Sequence, residues 1–271
     1  MRDAECTVFL QWALPRLDRH WPGYRKVRRI VCKRLGRRQR ALGLAGLDAY
    51  RARLLEHEEE WAELDALCGI PISCFYRDRG VFDALEREVL PALGEAAAPR
   101  GSLEAWSAGC ACGEEPYTLA MLWAVRLQAR HSRLALRIVA TDVDEQLLAR
   151  AREGVFSPSS LKELPDDLRA AGFERVDGRW RVREPLRRVE FLRQDLRETM
   201  PRGPFDLILC RNVLLTYYAP PLRERLIERV VERLRPGGAL VVGIHETLPA
   251  GVRGMEAWPG ARAIYRRTRA A

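Results

Sequence analysis

Apolar positions through the first 95 residues recur at helical spacing. In Arg25–Arg40 the apolar side chains Val27, Ile30, Val31 and Leu35 share one helical side, among nine cations and no acid. Helical spacing continues through 47–55 and 56–68, and Glu58, Glu59 and Glu60 open the latter, where acids suit the helix dipole. Residues 81–93 predict a further amphipathic helix. The small-residue run 96–102 (AAAPRGS) then predicts a linker. The pattern therefore predicts an all-α N-terminal domain over 1–95 and a second domain over 96–271.

Beyond the linker the period changes. Strands are predicted at 103–109, 134–142, 205–210 and 238–244, with helices at 115–129, 144–153 and 220–234 between them. Strand–helix alternation predicts an α/β domain, a mostly parallel sheet with helices on both faces. Residues 154–188 break the rhythm. Within them 173–182 reads as a β hairpin turning at Val176-Asp177-Gly178-Arg179, inserted into the α/β unit.

Composition narrows the picture. The 271 residues are 47% hydrophobic and 31% charged, which fits a globular chain and excludes wholesale disorder. No apolar run approaches the ~18 residues of a membrane span. The first residues lack a signal-peptide core, so a cytoplasmic location is expected. The formal charge is +9, and all but three of the 46 cations are arginines. Such a balance suits nucleic acid, an anionic membrane or an acidic protein as partner. Seven cysteines, an odd count, argue against a disulfide framework, and four scattered histidines lack zinc-ligand spacing, so no metal site is expected.

Four segments carry candidate chemistry. Trp106-Ser-Ala-Gly-Cys-Ala-Cys-Gly-Glu-Glu-Pro-Tyr117 follows the first strand of the α/β region and opens its first helix. Gly109 and Gly113 let backbone approach a ligand, and the helix start offers N–H groups. Glu114 and Glu115 stand where a dinucleotide fold holds phosphate, so they favour a cationic or zwitterionic ligand. S-adenosylmethionine, with a sulfonium, an ammonium and no phosphate, fits; an ordinary strand-to-helix turn is the plainer alternative. Asp142, in Ala140-Thr-Asp-Val-Asp144, ends the next strand, where an acid binds ribose hydroxyls, although Asp142 or Asp144 also suits a helix N-cap. Pro204–Leu214 is an apolar strand with a polar tip at Asn212, and its Cys210 reads as a packed thiol rather than a nucleophile. Ile72-Ser-Cys-Phe-Tyr-Arg-Asp78 combines two aromatics with Arg77; the alternative is an aromatic plug with an Arg77–Asp78 surface pair.

These four segments, in this order, resemble the CheR-type chemotaxis receptor methyltransferases, which use S-adenosylmethionine to esterify receptor glutamates. The family pattern is T-x-F-F-R-[DE], W-S-A-G-C-x-x-G-E-E-P-Y-S, A-T-D-I-D and F-D-x-I-x-C-R-N-V, and the similarity runs from about Tyr24 to Arg267, whose end predicts a closing strand at 264–267. The resemblance implies a Rossmann-like class I S-adenosylmethionine methyltransferase fold. It implies that Ala108 and Glu114 line the cofactor pocket with the loop glycines, and that Asp142 holds the ribose. Asp195 and Leu196 would stand near the adenine, where the family usually has Asn-Leu, and Asn212 and Val213 would complete the pocket. Ser73 and Arg77 would close over the cofactor beside the transferred methyl. After C-R-N-V the family has a tyrosine near the methyl; here Thr216 takes that slot, and Tyr217 substitutes through a one-residue shift. The family's G-H-S-E is Gly243-Ile-His-Glu246, and residues 1–23 read as an extra N-terminal piece.

A glutamate carboxylate is ionised near neutral pH and needs no general base to attack a sulfonium methyl. Alignment and removal of water are the demands, and Arg77 can orient the acceptor by a charge-assisted hydrogen bond. The expected function is therefore methyl transfer from S-adenosylmethionine to a glutamate of a chemoreceptor-like protein, with S-adenosylhomocysteine as product. The expected docking element for acidic receptor helices is Arg25–Arg40. Alternatives are a carboxylate on another protein or a metabolite, and a non-catalytic cofactor sensor. Nucleic-acid methylation is disfavoured, because the tip reads Arg211-Asn-Val-Leu214 and not [ND]-P-P-[YF].

Overall fold

The structure, a computed structural model, describes residues 3–268. The chain forms two compact units: the chain up to Pro71 together with Thr216–Arg223, and Ile72–Leu215 together with the chain from Glu224 onward.

The first unit is helical: α1 (Asp3–Ala13), α2 (Trp21–Tyr24), α3 (Arg28–Ala41), α4 (Leu47–Glu56) and α5 (Glu59–Leu67). Val31, Cys32, Leu35 and Gln39 form the buried stripe of α3, and the first three share a core with Phe9, Leu10, Tyr24, Tyr50 and Leu64. The N-terminal piece is thus integral to this core. Glu60 does not serve as an exposed first-turn acid. It is 1% exposed and accepts hydrogen bonds from Arg38 at 2.8 Å and Tyr50 at 2.7 Å. Arg38 foremost, with Tyr50 and Arg53, holds its carboxyl down at about 2 against the burial that opposes ionisation. The cysteine count argued against disulfides, yet Cys6 and Cys32 are bonded, tying α1 to α3. The pairing is a contact through space between helices, which a count along the chain does not register.

The second unit is the α/β body. Its strands are β1 (Ser102–Ala108), β2 (Ala135–Asp142), β3 (Val155–Phe156), β4 (Phe173–Val176), β5 (Arg179–Val182), β6 (Val189–Arg193), β7 (Phe205–Leu209), β8 (Leu234–Val241), β9 (Met255–Ala257) and β10 (Ile264–Arg267). Seven of them form one sheet in the order β6-β2-β1-β7-β8-β10-β9. β6, β2, β1, β7 and β8 run parallel, and β10 and β9 add antiparallel at the edge. The remaining three form the inserted sheet, in which Val176 pairs with Arg179 across Asp177-Gly178. Both turn residues have positive φ (48° and 73°), as a tight hairpin turn requires.

Helices α6 (Arg79–Ala84), α7 (Leu90–Ala97), α8 (Glu114–Leu122), α9 (Glu145–Glu153), α10 (Asp166–Gly172), α11 (Leu214–Tyr217) and α12 (Pro220–Glu232) complete the order. The predicted boundary near residue 95 is not where the compact units part; that point is Pro71/Ile72. The reason is packing: Phe75, Val81, Phe82, Leu85, Val89, Leu90 and Leu93 share the core of the α/β body. A widened π turn at Leu85–Val89 joins α6 to α7, where Pro91 lacks an N–H for regular helix bonding. Among the described residues, no helix is long and apolar enough to cross a membrane.

From β1 the sheet grows through β2 to β6 on one side, then restarts at β7 on the other. The crevice outside the carboxyl ends of β1 and β7 is the switch point where such sheets bind ligands.

Candidate active site

The loop after β1 is shaped by three left-handed residues, Gly109 (φ 73°), Ala111 (φ 49°) and Gly113 (φ 89°). Gly109 has no room for a side chain: a Cβ there would lie 2.5 Å from Cγ2 of Val213. The end of β1 is thereby pressed against the tip of β7, so Ala108, Gly109 and Val213 stand together. The N–H groups of Gly109 and Cys110 both donate to the Thr141 carbonyl, at 2.8 and 3.0 Å. Asp142 completes the clasp, accepting from the Ala111 N–H at 2.9 Å and the Asp144 N–H at 3.0 Å. Asp144, not Asp142, caps α9, accepting from Gln146 and Leu147.

The loop delivers Glu114 to the first turn of α8. The residue is 6% exposed, and its carboxylate Oε2 has no hydrogen-bond partner among the described residues. Burial raises its pKa, while backbone groups, Arg150 and the Ser73 hydroxyl act in the opposite direction. Burial likewise raises that of Asp142. Two further buried acceptors lack partners among the described residues, Asn212 Oδ1 and Gln194 Oε1. Gln194 adjoins Asp142, its N–H donating to the Asp142 carbonyl at 3.0 Å. An unmatched buried acceptor costs about 1–3 kcal/mol, so this crevice suits a ligand that brings donors and positive charge.

Glu115 does not share that role. Its carboxylate accepts from the Ser107 hydroxyl at 2.7 Å and from Arg211 at 3.1 Å. Asp195 also turns inward on the protein: Arg197 meets its carboxylate at 2.6 Å, and Leu196 beside it is buried.

The 72–78 segment is an aromatic plug that also presents polar groups. Phe75 is fully buried, edge-on to Phe156 (4.7 Å) and Phe173 (5.1 Å) of the insertion, and its N–H donates to Ser160 at 2.9 Å. Tyr76 stacks on Phe82 at 5.2 Å and donates its N–H to Thr118 of α8 at 3.2 Å. This anchoring sets Ser73 at Glu114. Arg77 lies between two left-handed residues, Tyr76 (φ 58°) and Asp78 (φ 61°), and its guanidinium donates to the Ile72 carbonyl at 2.7 Å. In place of the Arg77–Asp78 surface pair of the alternative reading there is a buried pair, in which Arg211, with a side chain 4% exposed, meets Asp78 at 2.7 Å.

Asn212 is left-handed at φ 55°. Its N–H donates to Glu246 Oε2 at 2.9 Å, and the Gly243 N–H reaches the same oxygen at 2.6 Å. A Cβ on Gly243 would lie 2.5 Å from Asn212 Nδ2. Glu246 and Arg211 were the residues sequence reasoning missed as site residues. Their signal was membership of the motifs themselves, C-R-N-V for Arg211 and G-H-S-E for Glu246. Cys210 is fully buried and its thiol is pushed far up by burial, which fits a packed thiol. Tyr217 packs within the helical unit, its ring 4.9 Å from that of Tyr24, and its carbonyl accepts from the His20 N–H at 2.8 Å.

The sheet order and the acceptor-lined switch point define a Rossmann-like S-adenosylmethionine-dependent methyltransferase. Residues 72–262 match the family described as CheR methyltransferase, SAM binding domain, and the chain belongs to that family. It is 36% identical over 187 residues to a chemotaxis protein methyltransferase of Listeria monocytogenes, covering 69% of each chain. It is 34% identical over 236 residues to one of Salmonella typhimurium, covering 83% of this chain and 78% of that one. Among solved structures it resembles the N-methyltransferase NodS of Bradyrhizobium japonicum, with TM-score 0.31 and 21% identity over 58% of this chain and 61% of that one.

Proposed function

We propose that this methyltransferase esterifies glutamate side chains of a chemoreceptor-like signalling protein. The observation that carries the reading is the buried Oε2 of Glu114 at the head of α8, without a partner among the described residues, beside the Asp142 clasp. In this reading Glu114, helped by Ser73, takes the methionine ammonium and Asp142 takes the ribose hydroxyls. The backbone of Ala108, Gly109 and Gly113 forms the floor. Asp195 and Leu196 edge the adenine, and Asn212 and Val213 close the pocket.

S-adenosylmethionine, when bound, supplies a methyl group made electrophilic by its sulfonium. The protein's task is to bring a carboxylate oxygen in line with that methyl and to exclude water. Transfer would join the acceptor oxygen to the methyl carbon and release the sulfur as a neutral thioether, so a carboxylate and a sulfonium would both lose their charge. A dry site favours that loss of charge, and no proton moves. Arg77 closes over the cofactor together with Ser73, and it orients the acceptor carboxylate by a charge-assisted hydrogen bond.

The acceptor's acidic helices meet α3. Arg28, Arg34 and Arg38 of α3 are engaged internally, with Asp3, the Leu67 and Gly69 carbonyls, and Glu60. Arg29, Lys33, Arg37 and Arg40 are exposed at helical spacing and form one basic face. Exposed Arg25 and Lys26 continue it. The place of action is the cytoplasm. The test is incubation with methyl-labelled cofactor and separate membrane, cytosolic protein and metabolite fractions. Label on a receptor-sized membrane protein is expected; label confined to cytosolic protein or metabolites overturns the receptor assignment.

A further inference from the structure

Arg211 stands outside the pocket roles given above, yet it touches the neighbours of three residues that hold them. Its Nη2 donates to the carbonyl of Arg77 and to Oδ2 of Asp78, each at 2.7 Å. Its Nη1 donates to Glu115 at 3.1 Å, one residue from Glu114. Asn212 follows Arg211 directly in the chain. The guanidinium lies 5.1 Å from the Phe82 ring centroid, and Phe82 in turn carries Tyr76. One buried cation thus joins the 72–78 segment, the tip of β7 and the start of α8.

The backbone around Arg77 needs such a restraint. Tyr76 and Asp78 are non-glycine residues in the left-handed region, a conformation that persists only where surroundings over-determine it. The Arg77 guanidinium itself is bonded only to the nearby Ile72 carbonyl among the contacts described for it. The orientation of its peptide is therefore set by Arg211, which grips the Arg77 carbonyl and the next side chain together. A fork of planar donors does this; a lysine ammonium, a point charge, does not reproduce it.

We propose that Arg211 is a positioning residue that sets Arg77 for cofactor closure, acting through the Arg77 carbonyl and Asp78 and braced by Glu115. The proposal rests on the role given to Arg77 above. It assigns Arg211 no contact with the cofactor or the acceptor.

The experiment is a binding cycle with S-adenosylhomocysteine, followed by calorimetry, on the parent protein, Arg77→Ala, Arg211→Met and the double variant, with thermal unfolding in parallel. Arg77→Ala and Arg211→Met are each expected to weaken binding about tenfold, and the double variant no more than about twofold beyond the weaker single, because residues acting as one unit are non-additive. Arg211→Lys is expected to fall between parent and Arg211→Met. If Arg211→Met does not fold, Arg211→Lys and Asp78→Asn complete the cycle with Arg77→Ala. Losses that multiply overturn the positioning role while leaving Arg77's own role standing. Parent-like binding by Arg77→Ala overturns the assignment of Arg77, and the proposal with it.

Discussion

The backbone N–H of Asn212 donates to Oε2 of Glu246 at 2.9 Å, and that same oxygen holds the Gly243 N–H at 2.6 Å. One carboxylate oxygen so ties the end of β7 to the residue two beyond β8, and it does so beneath a residue held at φ 55°. Asn212 Oδ1, buried and without a partner among the described residues, is thereby fixed in the crevice.

Replacing Glu246 by alanine leaves two backbone donors without that acceptor, and hydrogen bonds to a charged group contribute about 1.5–3 kcal/mol each. S-adenosylhomocysteine affinity is expected to fall by about tenfold or more, and Glu246→Gln, which keeps an acceptor oxygen, to restore part of it. Calorimetry checks both. Unchanged affinity in Glu246→Ala would show that the tip of β7 keeps its shape without the carboxylate.

Gly109→Ala meets two obstacles at once. The position is left-handed, φ 73°, which costs an L-residue about 1–2 kcal/mol. The new Cβ would also sit 2.5 Å from Val213. Loss of cofactor binding together with lower stability to chemical denaturant is expected. Ala at Gly178, also at positive φ but with nothing within 4 Å of its Cβ, should lose stability and keep binding.

The buried acids give cofactor binding a pH dependence of definite sign. Burial holds Glu114 above 4.5 and Asp142 above 3.8. In the window between those values and the raised ones, the folded ligand-free protein keeps protons that the unfolded chain has released. Its stability from these groups therefore falls as pH rises through that window. A ligand ammonium favours the ionised form. S-adenosylhomocysteine affinity should accordingly rise with pH through the window, with proton release seen as buffer-dependent heat, and then level off. Glu114→Gln should flatten the rise. An affinity that falls with rising pH in that range would contradict the assignment of Glu114.

Much of the fold was legible because it rests on local signals. Apolar runs ending in polar tips marked β1, β2 and β7, and Asp177-Gly178 marked the hairpin. The positions of Asp142 and Glu114, at a strand end and at a helix start, were legible for the same reason. What was hidden depends on contacts through space. The stretch from 72 to 95 reads as part of the helical region that precedes it, yet Phe75 and Phe82 pack into the α/β core. Glu115 sits beside Glu114 in sequence but, one step around the helix, meets Ser107 and Arg211. Cys6 and Cys32 lie on different helices. The edge strand β6 is short, Val189–Arg193, and two of its residues, Glu190 and Arg193, are charged, so it carries little apolar signal.

The basic face of α3 is separable from the cofactor site by experiment. Reversing charge at Arg29, Lys33 and Arg37 should raise KM for a protein acceptor at least tenfold at low salt, an effect that shrinks as salt screens it. S-adenosylhomocysteine affinity should remain as in the parent. An unchanged KM would remove α3 from the docking surface.

The central claim is transfer of a methyl group to a protein carboxylate, and the nature of the product bond tests it most directly. Membrane protein methylated by the purified enzyme with methyl-labelled cofactor is brought to mild alkaline pH, and volatile radioactivity is collected. A glutamate methyl ester hydrolyses and releases its label as methanol, and that release is the predicted result. Label that stays on the protein under the same treatment, as N-methyl and S-methyl groups do, would contradict the account.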